Sequence, residues 1–305
     1  VVTGERSGPG LWQVTRGNGT VWILATVAPL PKDITWRSRE LEDILAGASG
    51  VLVSKHLEVG IIRVLWLLLT QRQVLMLPGG QRLKDVMPAD VYARFAAQRA
   101  KYTKDPQKWE RFRPIIATAF LQEDALSRVG LSNRLDLGGE VRSLARKHDV
   151  PVDEITVAGI KDMLDTLKTV PPQTEERCVA GALATIESGL PRLVERARAW
   201  ATGDVERLER LPYSSEVDDC RSALEADATA GDLVERIRRT WLASIDRRLD
   251  RGGVTVAVVN MDLLLEPGGL LDLLRAQGCR VAAPGAPTPS AAARLRRIAS
   301  ISAGP

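Results

Sequence analysis

The chain reads as an α/β protein, with a central sheet built from strands near both chain ends and a large helical insertion between them. Three observations predict this. Short β-branched or apolar runs, "VWILATV", "GVLVS", "VTVAVVN" and "CRVAAP", lie towards the two ends of the sequence. Residues of about 75–250 instead carry apolar positions every three or four places, the spacing of amphipathic helices. Finally, "GTVWILATVA" and "GVTVAVVNMD" share one design: a Gly, a strand, then a small polar patch at the strand end. In α/β sheets ligands bind beyond the carboxyl ends of strands.

In order along the chain, "LWQVTR" and "TVWILA" flank Gly17-Asn18-Gly19, which predicts a hairpin with Asn-Gly in a type I′ turn. "PLPKD" reads as a proline-punctuated loop and "RELEDIL" as a helix with a solvated acidic face. "GVLVS" is the third strand. "IIRVLWLLLT" is broken by Arg63 and falls short of the ~20 residues of a membrane span, so it reads as a core-facing helix. "LPGGQRL" is a turn. "PADVYARFAAQRAKY" opens on a helix start at Pro88, and "RFRPIIATAFLQEDALSRVG" is helical up to Gly130. "EVRSLARKHDV", "VAGIKDMLDTLKTV", "EERCVAGALATIESGL" and "LPRLVERARAWATGDVERLERL" repeat the amphipathic pattern. "GDLVERIRRTWLASIDRRLDRGG" ends on a Gly pair suited to a C-cap. Residues 1–284 are thus expected to form one domain, and 285–305 a Pro/Ala/Ser-rich tail with a short basic helix.

Composition narrows the function classes. Apolar residues at 45 % allow a sizeable core, and 42 basic against 38 acidic side chains leave a net charge of only +4. The densest basic stretches, "ERIRRTW" and "RLRRIAS", alternate with apolar residues as solvated helix faces do, so nucleic acid is not an expected partner. The sequence opens on Val1 rather than Met, which points to a processed or trimmed N-terminus. Cys178, Cys220 and Cys279 lack metal-binding spacing; on spacing alone three buried thiols are the simplest reading.

The strand ends are where chemistry is expected, and they offer little. The first supplies Thr26 and Ala28, the second Ser54 and Lys55, the last Asn260 and Asp262. Of the two histidines, His148 closes a polar helix and His56 follows the "GVLVS" strand. There is no HExxH, no GxSxG and no P-loop. A relocated hydrolase site would have to draw on Thr26, Ser54, His56 and Asp262. No metal or other cofactor is expected.

Taken together, "GLWQVTRGNGTVWILATVAPLPKDITWRSRELEDILAGASGVLVS", "LPGGQRLKDVMPADVYARF", "LSRVGLS", "LARKHDVPV" and "GGLLDLLRAQGCRV" resemble the TraB/GumN family, which includes the Tiki proteins. The resemblance implies a metal-dependent peptidase resting on two Gly-x-x-His motifs and on acidic residues at strand ends. Here the first motif falls on Ala25-Thr26-Val27-Ala28 and the second near Val259-Asn260-Met261-Asp262. The acidic positions fall on Ser54 and on Ile155 or Glu154. Ala25, Ala28, Ser54, Asn260 and Asp262 therefore read as vestiges of a site. The resemblance also implies export, to a bacterial periplasm, where Cys178 and Cys220 sit on helical segments expected to pack together and pair. Cys279 stands where relatives carry Tyr and should remain a thiol. A bridge closing a loop of about forty residues is worth ~3–4 kcal/mol. The resulting expectation is a non-catalytic protein that binds or assembles with a protein partner; the alternative is a divergent metal-dependent peptidase or another hydrolase with a relocated site. The binding surface would be the basic segment Ala291 to Pro305, or exposed Trp or Leu beside a blocked cleft.

Overall fold

The computed structural model describes residues 9–32, 34, 39–55, 70–133, 135–211 and 214–285. "IIRVLWLLLT" up to Leu69, His56, and the basic segment from Ala291 to Pro305 lie outside the described residues. The strands are β1 (Leu11–Arg16), β2 (Gly19–Thr26), β3 (Leu30–Pro31), β4 (Gly50–Ser54), β5 (Leu131–Ser132), β6 (Val152–Ile155), β7 (Gly253–Asn260) and β8 (Arg280–Ala282). Six form one sheet in the order β6-β4-β7-β2-β1-β8, while β3 and β5 pair separately. Neighbours among β6, β4, β7 and β2 are parallel, and β1 runs antiparallel to both β2 and β8. The sheet is built from both chain ends, as predicted. The residues alone read β6 as part of the helical region; only the family resemblance, which puts an acidic strand-end position at Ile155 or Glu154, implies a strand there.

The first hairpin forms, with Arg16 opposite Gly19, but its turn differs from the prediction. Gly17 takes the left-handed position at φ +54°, and Asn18 is not among the positive-φ residues. A glycine at the first turn position is the requirement of a type II′ rather than a type I′ turn. Gly19 answers a different need. A Cβ there would come within 2.1 Å of the Leu249 carbonyl oxygen, so the glycine lets the long helix beneath lie against β2.

The helices are α1 (Arg39–Ala46), α2 (Arg72–Leu75), α3 (Leu83–Val86), α4 (Ala89–Tyr102), α5 (Pro114–Arg128), α6 (Leu137–Lys147), α7 (Ile160–Thr169), α8 (Pro172–Ala184), α9 (Leu190–Ala201), α10 (Val205–Glu209), α11 (Ser215–Glu225), α12 (Ala228–Arg251), α13 (Met261–Leu265) and α14 (Leu270–Ala276). Side-chain caps set several starts. Asp136 accepts from the Gly139 N–H at 2.8 Å, and Asp227 from Thr229 and Ala230 at 3.1 and 2.9 Å. The stretch read as one helix from "LPRLVERARAW" to "VERLERL" is two. Gly203 turns at φ +69°, and Asp204 then caps α10 through the Arg207 N–H. The long helix α12 ends on Gly252 at φ +77°, as the Gly pair predicts.

A close helix contact in the insertion joins α8 to α11. Gly181 faces Glu216 so closely that a Cβ would sit 2.7 Å from the Glu216 carbonyl oxygen. One turn away from each contact residue stand Cys178 and Cys220, bonded as a disulfide with their Cα atoms 4.5 Å apart. Cys279 is a buried free thiol. Burial pushes its pKa up, opposed by the Arg16 guanidinium nearby. An apolar cluster of the described residues runs from Leu11 through the sheet and helices to Cys279. It also borders a buried ion pair, Arg99 with Glu110, whose side chains are 6 % and 5 % exposed.

Candidate functional site

The parallel ladder aligns the strand ends expected to carry chemistry. Thr26 lies opposite Asn260, Ser54 opposite Ile155, and Val53 opposite Val258. The carboxyl ends of β2, β7, β4 and β6 thus form one edge, with Ala25, Thr26, Ser54, Glu154, Ile155 and Asn260 along it.

Their side chains are poor ligands, and several of their polar atoms are already engaged. Ala25 is buried, and its methyl has nothing to donate or accept. The Thr26 hydroxyl donates to the Val259 carbonyl at 3.3 Å. Ala28 and Ser54 are exposed. The Asn260 Oδ1 accepts from the Asp262 and Leu263 N–H groups at 2.8 and 3.3 Å, capping α13. Ile155 is buried at the end of β6, while its neighbour Glu154 accepts from Arg142 at 3.2 Å. His56 lies outside the described residues, so three members of the alternative set can be placed: Thr26, Ser54 and Asp262.

A fourth side chain, unmarked in the sequence, dominates the place. Trp200, on α9, is 1 % exposed, and its Nε1–H donates to the Ala25 carbonyl at 2.6 Å. The pairing of β1 with β2 stops at Leu24, so this bond meets the strand one residue beyond its last partner in β1. An indole therefore lies against the strand end that would otherwise border the site. No local signal marks it, because the contact spans 175 positions of sequence.

Asp262 belongs to a cleft beside this edge, of about 490 Å³, lined also by Arg196, Arg221, Arg238, Glu225 and Glu266. Its charges are largely paired. Arg238 donates to Glu266 at 2.7 Å and to Glu235 at 2.8 Å, and the bond to Glu266 raises its pKa against the effect of burial. Arg221 pairs with Asp218, and Arg196 donates to the Leu211 carbonyl. Neither Thr26 nor Ser54 lines this cleft.

Residues 10–283 match the TraB/PrgY/gumN family. The chain belongs to that family. Comparison with curated proteins and with solved structures gave no match. The metal that the sequence resemblance implies does not fit the described strand-end donor set, where two alanines, an isoleucine, Ser54 and a capping asparagine stand with only Glu154 and Asp262 as carboxylates. Among the described residues no group of three or more His, Cys, Asp or Glu is placed to hold a metal ion. A catalytic divalent site needs about three protein ligands and an open position.

Proposed function

We propose that this protein is a non-catalytic member of the TraB/PrgY/gumN family that acts by binding or assembling with another protein. The observation that carries the reading is the strand-end edge: Ala25, Ala28, Ser54 and Asn260, with the Asn260 Oδ1 committed to capping α13 and the Trp200 indole N–H bonded to the Ala25 carbonyl. Such an edge keeps the scaffold of a site and lacks the groups that polarise a carbonyl or activate water. Export, to a periplasm, accords with the Cys178–Cys220 disulfide, since such bonds persist in oxidising compartments. No helix among the described residues is long and apolar enough to cross a membrane.

The test joins two measurements on the purified chain. Peptide-library cleavage after loading with zinc, manganese or cobalt should be absent, and affinity capture from the native envelope fraction should recover a specific protein. Cleavage abolished by Asp262→Ala or His56→Ala would instead establish a hydrolase built on Thr26, Ser54, His56 and Asp262.

A further inference from the structure

Among the described residues the edge strand β6 lies beside a cleft that carries three arginines. Among the described residues β6 has β4 on one side and no strand on the other. The Val51 N–H donates to the Pro151 carbonyl and the Lys55 N–H to the Ile155 carbonyl, each at 2.9 Å. In a parallel ladder this parity turns residues 151, 153 and 155 towards β4. The N–H and C=O groups of Val152 and Glu154 then face outward. Natural sheets blunt such an edge with prolines, bulges, charged side chains or a covering helix or loop. Here the two acidic side chains of the strand are neutralised from within, Asp153 by Arg248 and Glu154 by Arg142 at 3.2 Å.

A cleft of about 520 Å³ runs between this strand and α12. Its helix wall carries Thr240, Ser244, Arg247, Arg248 and Arg251, a polar face at helical spacing. Ser244 is 4 % exposed; its hydroxyl donates to the Thr240 carbonyl at 2.8 Å and accepts from Arg247 Nη2 at 2.9 Å, which orients that guanidinium. Neither Arg247 nor Arg251 meets a carboxylate among the described residues, and both are exposed. They stand one helical turn apart, about 6 Å of rise, close to the ~6.8 Å between alternate residues of an extended strand.

We propose that β6 accepts an extended acidic peptide segment of a partner protein. The segment pairs its backbone with Val152 and Glu154 and sets carboxylates from alternate positions on Arg247 and Arg251. Main-chain bonds supply the docking, and the arginines select the sequence. The inference rests on reading the protein as a binding module. It is tested at β6 rather than at the strand ends, so either can fail alone.

The probe is a fluorescein-labelled heptapeptide of alternating Glu and Val, titrated with the full chain and read by fluorescence anisotropy. Saturable binding is expected. It should weaken by about tenfold or more when Gln replaces Glu, when alternate peptide nitrogens are methylated, and in the double variant Arg247→Ala, Arg251→Ala. Both arginines are exposed on α12, so that variant should keep its far-UV circular dichroism and unfolding midpoint. Hydrogen exchange at the Val152 and Glu154 amides should slow in the complex. Absence of saturable binding would overturn the proposal. So would binding indifferent to nitrogen methylation and displaced by inorganic phosphate, which marks a plain oxyanion site. Binding that survives the double variant would place the peptide elsewhere.

Discussion

Trp200 offers a way to weigh the filling of the strand-end edge in isolation. It is the largest of the fully buried side chains among the described residues, and its indole N–H meets the Ala25 carbonyl at 2.6 Å. Trp200→Ala removes the ring from a close-packed region and leaves a cavity, a change that costs about 3–5 kcal/mol in protein cores. Trp200→Phe keeps an aromatic ring but deletes the donor; a buried acceptor left without its partner costs about 1–3 kcal/mol. Against a whole-domain stability of about 5–15 kcal/mol, the alanine variant forfeits a large share and the phenylalanine variant a measurable one. Urea unfolding followed by far-UV circular dichroism gives both values, with the slope checked for constancy before midpoints are converted. The expected order is wild type, then Phe, then Ala. If Trp200→Ala unfolds within about 1 kcal/mol of the wild type, the indole does not fill this space as described, and the strand end is open.

Three further outcomes follow from other parts of the fold. The Cys178–Cys220 bond closes a loop with a sequence separation of 42, worth about 4 kcal/mol by loop-closure entropy. Cys178→Ala with Cys220→Ala should lose most of that in urea unfolding, and a denaturing thiol count should find one thiol before reduction and three after. Glu110→Ala should cost about 3–5 kcal/mol by leaving Arg99 charged and unpaired in the interior, whereas replacing both partners with Met and Leu should be close to neutral. The Asp162 carboxylate is held below its ordinary pKa, first by the Gly159 N–H and then by Arg236. Its stabilisation is therefore present above the unfolded carboxylate range and is lost as pH falls through the folded value. Asp162→Asn should flatten that acid limb in a stability-against-pH series.

The elements legible in the sequence were those with a local signature. The strands β2, β4 and β7 announce themselves by β-branched runs, the end of α12 by its Gly pair, and the shared sheet by matching strand ends. The strand β6 is four residues, Val152–Ile155, with two acids after a proline. It pairs only because β4 offers a ladder and because Arg248 and Arg142, distant in sequence, neutralise those acids. The turn of the first hairpin was read one position late, since Gly17 and Gly19 look alike in sequence but serve dihedral freedom and close approach respectively. At the candidate site, Ser54 and Asn260 were legible from the strand-end pattern, and Ala25 only through the family resemblance. The role of Trp200 was not legible, because a hydrogen bond across 175 residues leaves no periodicity to read. The cysteine pairing likewise came through the resemblance, since spacing alone favoured three thiols. The close approach at Gly181 that brings Cys178 to Cys220 is a property of the packed helices α8 and α11.

The central claim is that the strand-end edge has kept its scaffold without the means to hold a catalytic metal. The direct measurement is metal content of the purified chain by inductively coupled plasma mass spectrometry, after dialysis in turn against zinc, manganese and cobalt and then against metal-free buffer. The account predicts far less than one equivalent of any of the three. One equivalent retained per chain, and lost in Asp262→Ala, would contradict it.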